Sequence, residues 1–497
     1  MNNKTIQIEN CELCVIGMGI AGINALNSSS SYLSKKDKVI VIDRRESTKA
    51  IGGMWNAAYP FVRLHQPHSL FTIGNKKWGL DKDPGHLANR EEVIGHFNHC
   101  YTELKERLSI IEMFAYEYQS YEEVKTADGY SVHISFQSIN EDLPLLMVKA
   151  KRCIKAFGFN ILPNDPMKFS SNKVKSITPE SPSLLNCEVA NDDKPIYIVG
   201  GGKSSMDVAN FILAQNPNRK LNFIIGRGTY FLNRDILFPS GAKKNWTGTS
   251  INKFLLTIAL LYDEKNIESV IDHIKNTYGC LPFKDAKHTV FGLLSPHETN
   301  SVKKSIDTEV YDYIDDVVEK DENLYIRYKN DPDKQVVAGS WFILCTGYLY
   351  SKKEDFEPVL SPHEKVLSIN NTASTVAFTS LGSYFLPHLW FRNKFKDVPI
   401  NQFNHASLIK KDKEAYLFGV SAQAIHNLIY FVEALPFGVV YKCGANFDKW
   451  FPLHRQFLVL LNILINKKRY LKHTSEVLDR LSSKYDVESK VVGRPDQ

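Results

Sequence analysis

Two glycine-rich turns, each between an apolar run and a helical stretch, limit what this chain can fold into more than any other feature. The first reads Cys14-Val15-Ile16-Gly17-Met18-Gly19-Ile20-Ala21-Gly22, and the second reads Tyr197-Ile198-Val199-Gly200-Gly201-Gly202-Lys203-Ser204-Ser205. A strand that feeds such a turn brings bare backbone N–H groups and a helix N-terminus up to a pyrophosphate, and both favour anionic charge. At the first turn Gly17 allows the tight bend, Gly19 admits the pyrophosphate and Gly22 lets helix and strand pack closely. The next apolar run, Val39 to Ile42, ends in Asp43, 21 residues past Gly22. That is the place for a carboxylate accepting hydrogen bonds from a ribose diol.

The second turn differs at two points. Ser205 replaces the third glycine, a small residue that still permits close packing, and Lys203 and Ser204 open the helix. The following strand, Leu221 to Ile225, ends in Gly226-Arg227-Gly228 instead of an acid, with Arg227 22 residues past Ser205. An acid there repels a 2′-phosphate whereas an arginine pairs with it, which points to NADPH over NADH. Arg234 is a second candidate for that phosphate, and the plain alternative for either arginine is a surface residue. Asp207 reads as a structural carboxylate in the first helical turn. Two such turns in one chain suggest two dinucleotides, a flavin and a nicotinamide.

After Asp43 comes Ile51-Gly52-Gly53-Met54-Trp55, then Tyr59-Pro60-Phe61-Val62-Arg63-Leu64-His65-Gln66-Pro67. Here the chain resembles the flavin-containing monooxygenase family, which carries a GGxW element after the FAD-binding strand pair. The Leu-His-x-Pro segment looks most like its plant indole-pyruvate branch. Further on, Trp341-Phe342-Ile343-Leu344-Cys345-Thr346-Gly347-Tyr348 resembles the family's ATGY return from the nicotinamide domain, with Cys345 in place of alanine. Ile154 to Phe159 is the counterpart at the first crossing.

The resemblance implies an α/β protein with two Rossmann-like dinucleotide-binding domains of mostly parallel sheets, the NADP domain inserted into a discontinuous FAD domain. The expected division is 1–175 and 336–440 for FAD, 190–335 for NAD(P) with an insert near 238–299, and 441–497 as a helical extension. It implies FAD held by Gly17, Gly19, Gly22, Asp43, Gly53 and Trp55. NADPH would be held by Gly200, Gly202, Lys203, Ser204, Ser205, Arg227, Thr346 and Gly347. It further implies a monooxygenase that uses molecular oxygen, through a C4a-(hydro)peroxyflavin, on a small organic substrate.

Arg63 and His65 follow GGxW and are the candidates for a side chain that assists at the flavin edge. One family element is missing: the linker offers Met167 to Ser176, with Lys175 roughly where a histidine belongs. That disfavours Baeyer–Villiger insertion, and it keeps open an FAD/NAD(P)H reductase or dehydrogenase without oxygen insertion. A non-catalytic flavoprotein partner is the third reading.

Composition bounds these readings. The chain has 497 residues, 43% apolar and 23% charged, with a net charge of +6. These are ordinary globular values, long enough for two domains, and they do not call for nucleic acid. The polar start and the absence of a bilayer-length apolar run lead to the expectation of no signal peptide, no transmembrane segment and a cytoplasmic protein, with room for a homodimer. Cys11 and Cys14 form a CxxC, but strand alternation is expected to point them to opposite faces, against a redox dithiol. No Cys/His cluster has zinc spacing, so no metal is expected.

Three further regions carry expectations. In the insert, Ile251, Phe254, Leu255, Ile258 and Tyr262 share a helical face, either a lid over substrate or packing against the nicotinamide domain. Ser295 and Glu298 read as a capping box. Ser421 to Asn427 is expected to supply the helix N-terminus facing the isoalloxazine, and His388 and His405 either line the substrate space or are structural. In the tail, Phe457, Leu460, Leu461 and Leu464 form an apolar face beside Arg455, Lys467, Lys468 and Arg469. Packing against the protein's own body is preferred there to a membrane or partner.

Overall fold

The computed structural model describes residues 6–140, 143–158, 163–346, 355–370 and 372–493. Gly347 and Tyr348 lie outside the described residues. The chain opens with β1 (Ile6–Ile16), α1 (Ile20–Ser29) and β2 (Lys38–Asp43), then α2 (Arg90–Arg107), β3 (Ser109–Phe114), β4 (Tyr116–Thr126), β5 (Gly129–Ser138) and β6 (Leu145–Gly158). A second series runs β7 (Lys175–Ile177), β8 (Ile196–Val199), α3 (Lys203–Gln215), β9 (Leu221–Ile224) and β10 (Phe231–Asn233). The insert adds α4 (Ile251–Leu261), α5 (Ile267–Tyr278), β11 (Gly279–Cys280), β12 (Leu293–Leu294) and α6 (Pro296–Ser305). Then follow β13 (Ile306–Val310), β14 (Ile314–Lys320), β15 (Asn323–Tyr328), β16 (Lys334–Val336) and β17 (Trp341–Leu344). The chain returns as β18 (Val366–Asn370), α7 (Thr379–Phe391), β19 (Ile400–Phe403), α8 (Lys413–Ala434), α9 (Leu453–Ile465), α10 (Lys467–Tyr485) and β20 (Ser489–Val492).

Both sheets have the same plan. In the first, β3, β2, β1, β6 and β18 lie parallel, and β6 also pairs antiparallel with β5, which pairs with β4. In the second, β13, β9, β8, β17 and β7 are all parallel, and β14, β15 and β16 form an antiparallel meander. Parallel strands covered on both faces need apolar residues at every position. Leu13 and Val15 face α1 and Trp55, while Cys14 and Ile16 face Tyr116 of β4 and Val132, Ile134 and Phe136 of β5. The fold is thus a pair of layered α/β units, each parallel sheet with helices on one face and antiparallel strands on the other, the second unit inserted between β6 and β18 of the first.

Several expectations change here. Cys11 packs against the same cluster as Cys14, so alternation does not separate these thiols. Burial pushes both up, Cys11 to about 12, and keeps them protonated beside Cys153. Ile251, Phe254, Leu255, Ile258 and Tyr262 are buried, with Tyr262 against Phe418 of α8 at a centroid distance of 4.8 Å. That face is packing and not a lid. Ser295 does cap α6: its hydroxyl accepts from Glu298 N at 3.2 Å, and the Glu298 carboxylate accepts from Ser295 N at 2.7 Å.

Among the described residues, one helix, α8, is long and apolar enough to cross a membrane, and 83% of that stretch is buried inside the protein. The tail divides. Helix α10 buries Tyr470, Thr474, Val477, Leu478 and Leu481, and β20 pairs with β19, whereas α9 buries Ile463 alone. Packing on the body therefore holds for α10 and fails for the outward side of α9.

Candidate functional site

At the first turn, Gly17 adopts φ +94° and donates its N–H to Ile42 O at 2.7 Å. A Cβ there would stand 2.4 Å from the Ala156 carbonyl oxygen, so the end of β6 rests directly on the turn. A Cβ on Gly22 would meet Gly17 O at 1.7 Å, which excludes any side chain. Gly52 and Gly53 have φ of +125° and +56°, and a Cβ on Gly53 would lie 2.8 Å from Gly19 Cα. The GGxW turn is therefore packed backbone to backbone on the first glycine turn, and neither half tolerates a side chain.

These turns open on a cavity of about 440 Å³, within the range of cofactor sites. Its walls include Gly17, Gly19, Asp43, Gly53, Trp55 and Thr379. Helix α1 starts at Gly19 with no side-chain cap and no acid in its first turn, which leaves free N–H groups for an anion. Asp43 accepts from Met18 N and Arg45 N, each at 2.9 Å, and burial raises its pKa despite both bonds. Trp55 is buried and packs edge-on to Phe71.

The second turn repeats this construction. Gly200 has φ +119°, donates to Ile224 O at 2.8 Å, and lies under Cys345 and Thr346. Ser205 occupies the position of Gly22, and its buried hydroxyl donates to Gly200 O at 2.6 Å. Gly202 starts α3 without a side-chain cap, and a Cβ there would meet nothing within 4 Å. Its space is open.

The shared bond from the first glycine to the strand end sets the register. Ile42 matches Ile224, so the counterpart of Asp43 is Ile225, and Arg227 matches Arg45. Arg227 is thus two residues beyond the acid's place. It is half-exposed and ion-paired with Glu414 at 3.1 Å. Lys413, beside it, is held below its usual range by burial and by the Arg227 charge. Arg234 is not a phosphate candidate: its Nε donates to His65 O at 2.8 Å and its Nη2 pairs with Glu298 at 2.8 Å. Asp207 lies in the second turn of α3, not the first.

A seam that no local pattern announced joins the two halves. The Tyr59 hydroxyl, from the segment after GGxW, donates to Asp207 Oδ2 at 2.7 Å, and Lys203 pairs with the other oxygen. Burial and the Asp207 charge push Tyr59 well up, so its proton stays in place. His65 Nδ1 accepts from Leu293 N at 3.1 Å. Burial, with Lys203 and Arg234 nearby, takes His65 down to about 3, so it is neutral and carries its proton on Nε2. Neither Arg63 nor His65 lines the cavity. Arg63 is exposed and donates to Leu87 O at 3.3 Å.

A second helix that starts at the cavity is α7, whose first residue Thr379 lines it, and it too lacks a side-chain cap. Ser421 to Asn427 lies in the middle of α8 and supplies no helix start. The turn before α7 is set by Asn370, whose Oδ1 accepts from Thr372 N at 2.9 Å and Ala373 N at 2.8 Å. His388 bonds Tyr32 at 2.8 Å and His405 bonds Gln423 at 2.7 Å, and neither lines the cavity at the first turn. Lys175 opens β7, pairs with Asp192 at 3.3 Å and sits 3.9 Å over the Trp341 ring.

No family model matches the chain. It is 25% identical over 250 residues to uncharacterized proteins of Mycobacterium bovis and Mycobacterium tuberculosis, a match covering 48% of this chain and 42% of each relative. The chain thus spans less than half the length of these relatives. Among solved structures it is similar to an open form of cyclohexanone monooxygenase, with a TM-score of 0.49, 10% identity, and 97% and 99% of the two chains covered. A flavin-containing monooxygenase from Stenotrophomonas maltophilia gives 0.46 at 13% identity, covering 78% and 98%. Bacillithiol disulfide reductase Bdr from Bacillus cereus gives 0.44 at 11%, covering 78% and 100%.

Proposed function

We propose that this chain is an FAD-dependent oxidoreductase reduced by NADPH, a monooxygenase that oxygenates a small organic substrate at nitrogen, sulfur or a related centre. One observation carries the reading: Tyr59 and Asp207 tie two uncapped glycine-turn helix starts to one seam, α1 facing a walled cavity and α3 an open space. Gly17, Gly19, Gly22, Asp43, Gly53 and Trp55 would hold FAD, with the start of α7 as a further anion- and dipole-favouring element. Gly200, Gly202, Lys203, Ser204, Ser205 and Thr346 would hold the nicotinamide dinucleotide, with Arg227 and Lys413 at its 2′-phosphate.

Bound FAD supplies two-electron acceptance from the reduced pyridine and delivery of those electrons to oxygen. The chain's own work is placement. Tyr59 and Lys203 hold Asp207 and so fix the first turns of α3. His65, neutral at every physiological pH, keeps its Nε2 proton and fixes the Leu293 backbone through Nδ1. These groups need not exchange protons during turnover.

The test is consumption of NADPH with isotopically labelled oxygen gas and a panel of amines and thioethers. Label in the product supports a monooxygenase, and NADPH oxidation with unlabelled product leaves a reductase. The reductase reading has one observation in its favour: Lys175 is locked in an edge strand against Asp192 and Trp341, where the family's linker carries a histidine.

A further inference from the structure

We propose that α9, with the aromatic side chains beside it, docks this protein on an anionic lipid surface. An amphipathic surface helix turns its apolar stripe to the core, and α9 does the reverse. Leu453, Phe457, Leu458, Leu461, Leu464 and Ile465 are all exposed, Leu458 by 65% and Ile465 by 72%. On a helical projection they fall in one continuous arc, with Ile463 on the buried side. Contiguous exposed apolar surface of this kind marks an interaction site.

The patch extends beyond the helix. A groove of about 90 Å³ between α9 and the body is lined by Phe437, Tyr441, Leu453 and Phe457, so the exposed Phe437 and Tyr441 continue the same surface. Arg455 of α9 donates to Lys244 O at 3.0 Å and Gly248 O at 2.7 Å. That bond holds the intervening loop against the helix, with Trp246 83% exposed at its tip. Tryptophan and tyrosine with one wet edge are the residues of membrane–water interfaces.

Charge selects the occupant. No acidic residue occurs from Leu453 to Ser475, while Arg455, Lys467, Lys468, Arg469 and Lys472 do. Lys468, Arg469 and Lys472 are exposed and form no ion pair among the described residues. A second copy on this face would set cations against cations, because an isologous interface must complement itself. An anionic headgroup layer complements both the apolar arc of α9 and the exposed cations that follow it at the start of α10. At 13 residues, α9 is about 20 Å long, short of a ~30 Å bilayer core, so it lies in the plane of the surface.

The experiment is vesicle flotation of the full chain with phosphatidylcholine alone and with phosphatidylcholine containing phosphatidylglycerol. Binding is expected on the phosphatidylglycerol vesicles, weakened by salt. The pair Leu458→Asp and Ile465→Asp should lower binding at least ~tenfold with an unchanged melting curve, since both side chains are exposed. Lys468→Glu with Arg469→Glu should also lower it at least ~tenfold on anionic vesicles. Absence of binding to phosphatidylglycerol vesicles overturns the proposal, as does binding indifferent to the leucine and isoleucine replacements. A dimer in solution that those replacements convert to monomer assigns the face to a second copy instead.

Discussion

The two glycine turns are built to one plan and finished differently. In each, a positive-φ glycine donates to the neighbouring strand end, and a crossing strand lies on top of it, Ala156 at the first and Cys345 at the second. The first is sealed: Gly22 lies 1.7 Å (as a Cβ) from Gly17 O, and Gly19 rests on Gly53. The second is looser, with Ser205 fitted in and Gly202 facing open space. A sealed turn suits a cofactor that stays, and an open one suits a coenzyme that must arrive and leave. The strand ends differ in the same sense, a buried Asp43 against Ile225 and an ion-paired Arg227.

The largest effect should come from exchanging the third positions. Gly22→Ser is expected to destabilise the protein by ~3 kcal/mol or more through overpacking against backbone and to leave it without flavin. Ser205→Gly should cost only ~1 kcal/mol, one hydroxyl hydrogen bond. Thermal melts and visible absorbance check both, and a yellow Gly22→Ser variant with native stability would refute the sealed-turn account. Next, Gly202→Val should keep the flavin and the melting temperature yet lose reduction by NADPH. Gly19→Val, forced against Gly53, should lose the flavin itself.

The seam between the turns should respond to acid. His65 is taken down to about 3 in the folded protein, below its unfolded value near 6.5. The unfolded state therefore binds the proton first, so the stability His65 contributes is complete above pH ~6.5 and is lost as pH falls toward ~3. At pH ~5 the loss is about 2 kcal/mol, and His65→Gln should flatten that part of the stability profile measured by urea unfolding. An unchanged slope would mean His65 is exposed to solvent.

The smallest effect concerns the open turn's strand end. Arg227→Ala should weaken NADPH more than NADH by ~1–3 kcal/mol. Glu414→Gln, which frees Arg227, should strengthen NADPH by less than ~1 kcal/mol, since the pair is half-exposed. Equal loss for both coenzymes in titrations with Arg227→Ala would remove this arginine from the site.

Much of this was legible in the chain, because strand, turn and helix are local patterns. Apolar runs followed by glycines located β1 and β8 and the starts of α1 and α3. Residue counting, however, set Arg227 opposite Asp43, and only the carbonyl register of Ile42 and Ile224 shows the two-residue offset. The start of α7 carries no capping residue, since Phe378 stands at its N-cap position, so nothing in the pattern announced it. Ser421 looked like a helix start, but its hydroxyl bonds back to Leu417 O inside α8. The Arg234–Glu298–His65 seam joins residues far apart in sequence, beyond any local rule. For α9 the periodicity showed that an apolar face exists, but not that it turns outward.

The central claim is that this one chain holds a flavin at the first turn and lets a reduced nicotinamide at the second reach it. Anaerobic rapid mixing of the purified protein with NADPH tests it most directly. Visible flavin absorbance should bleach in wild type and persist in Gly202→Val. A protein that stays colourless when supplied with FAD, or whose colour NADPH leaves untouched, would contradict the account.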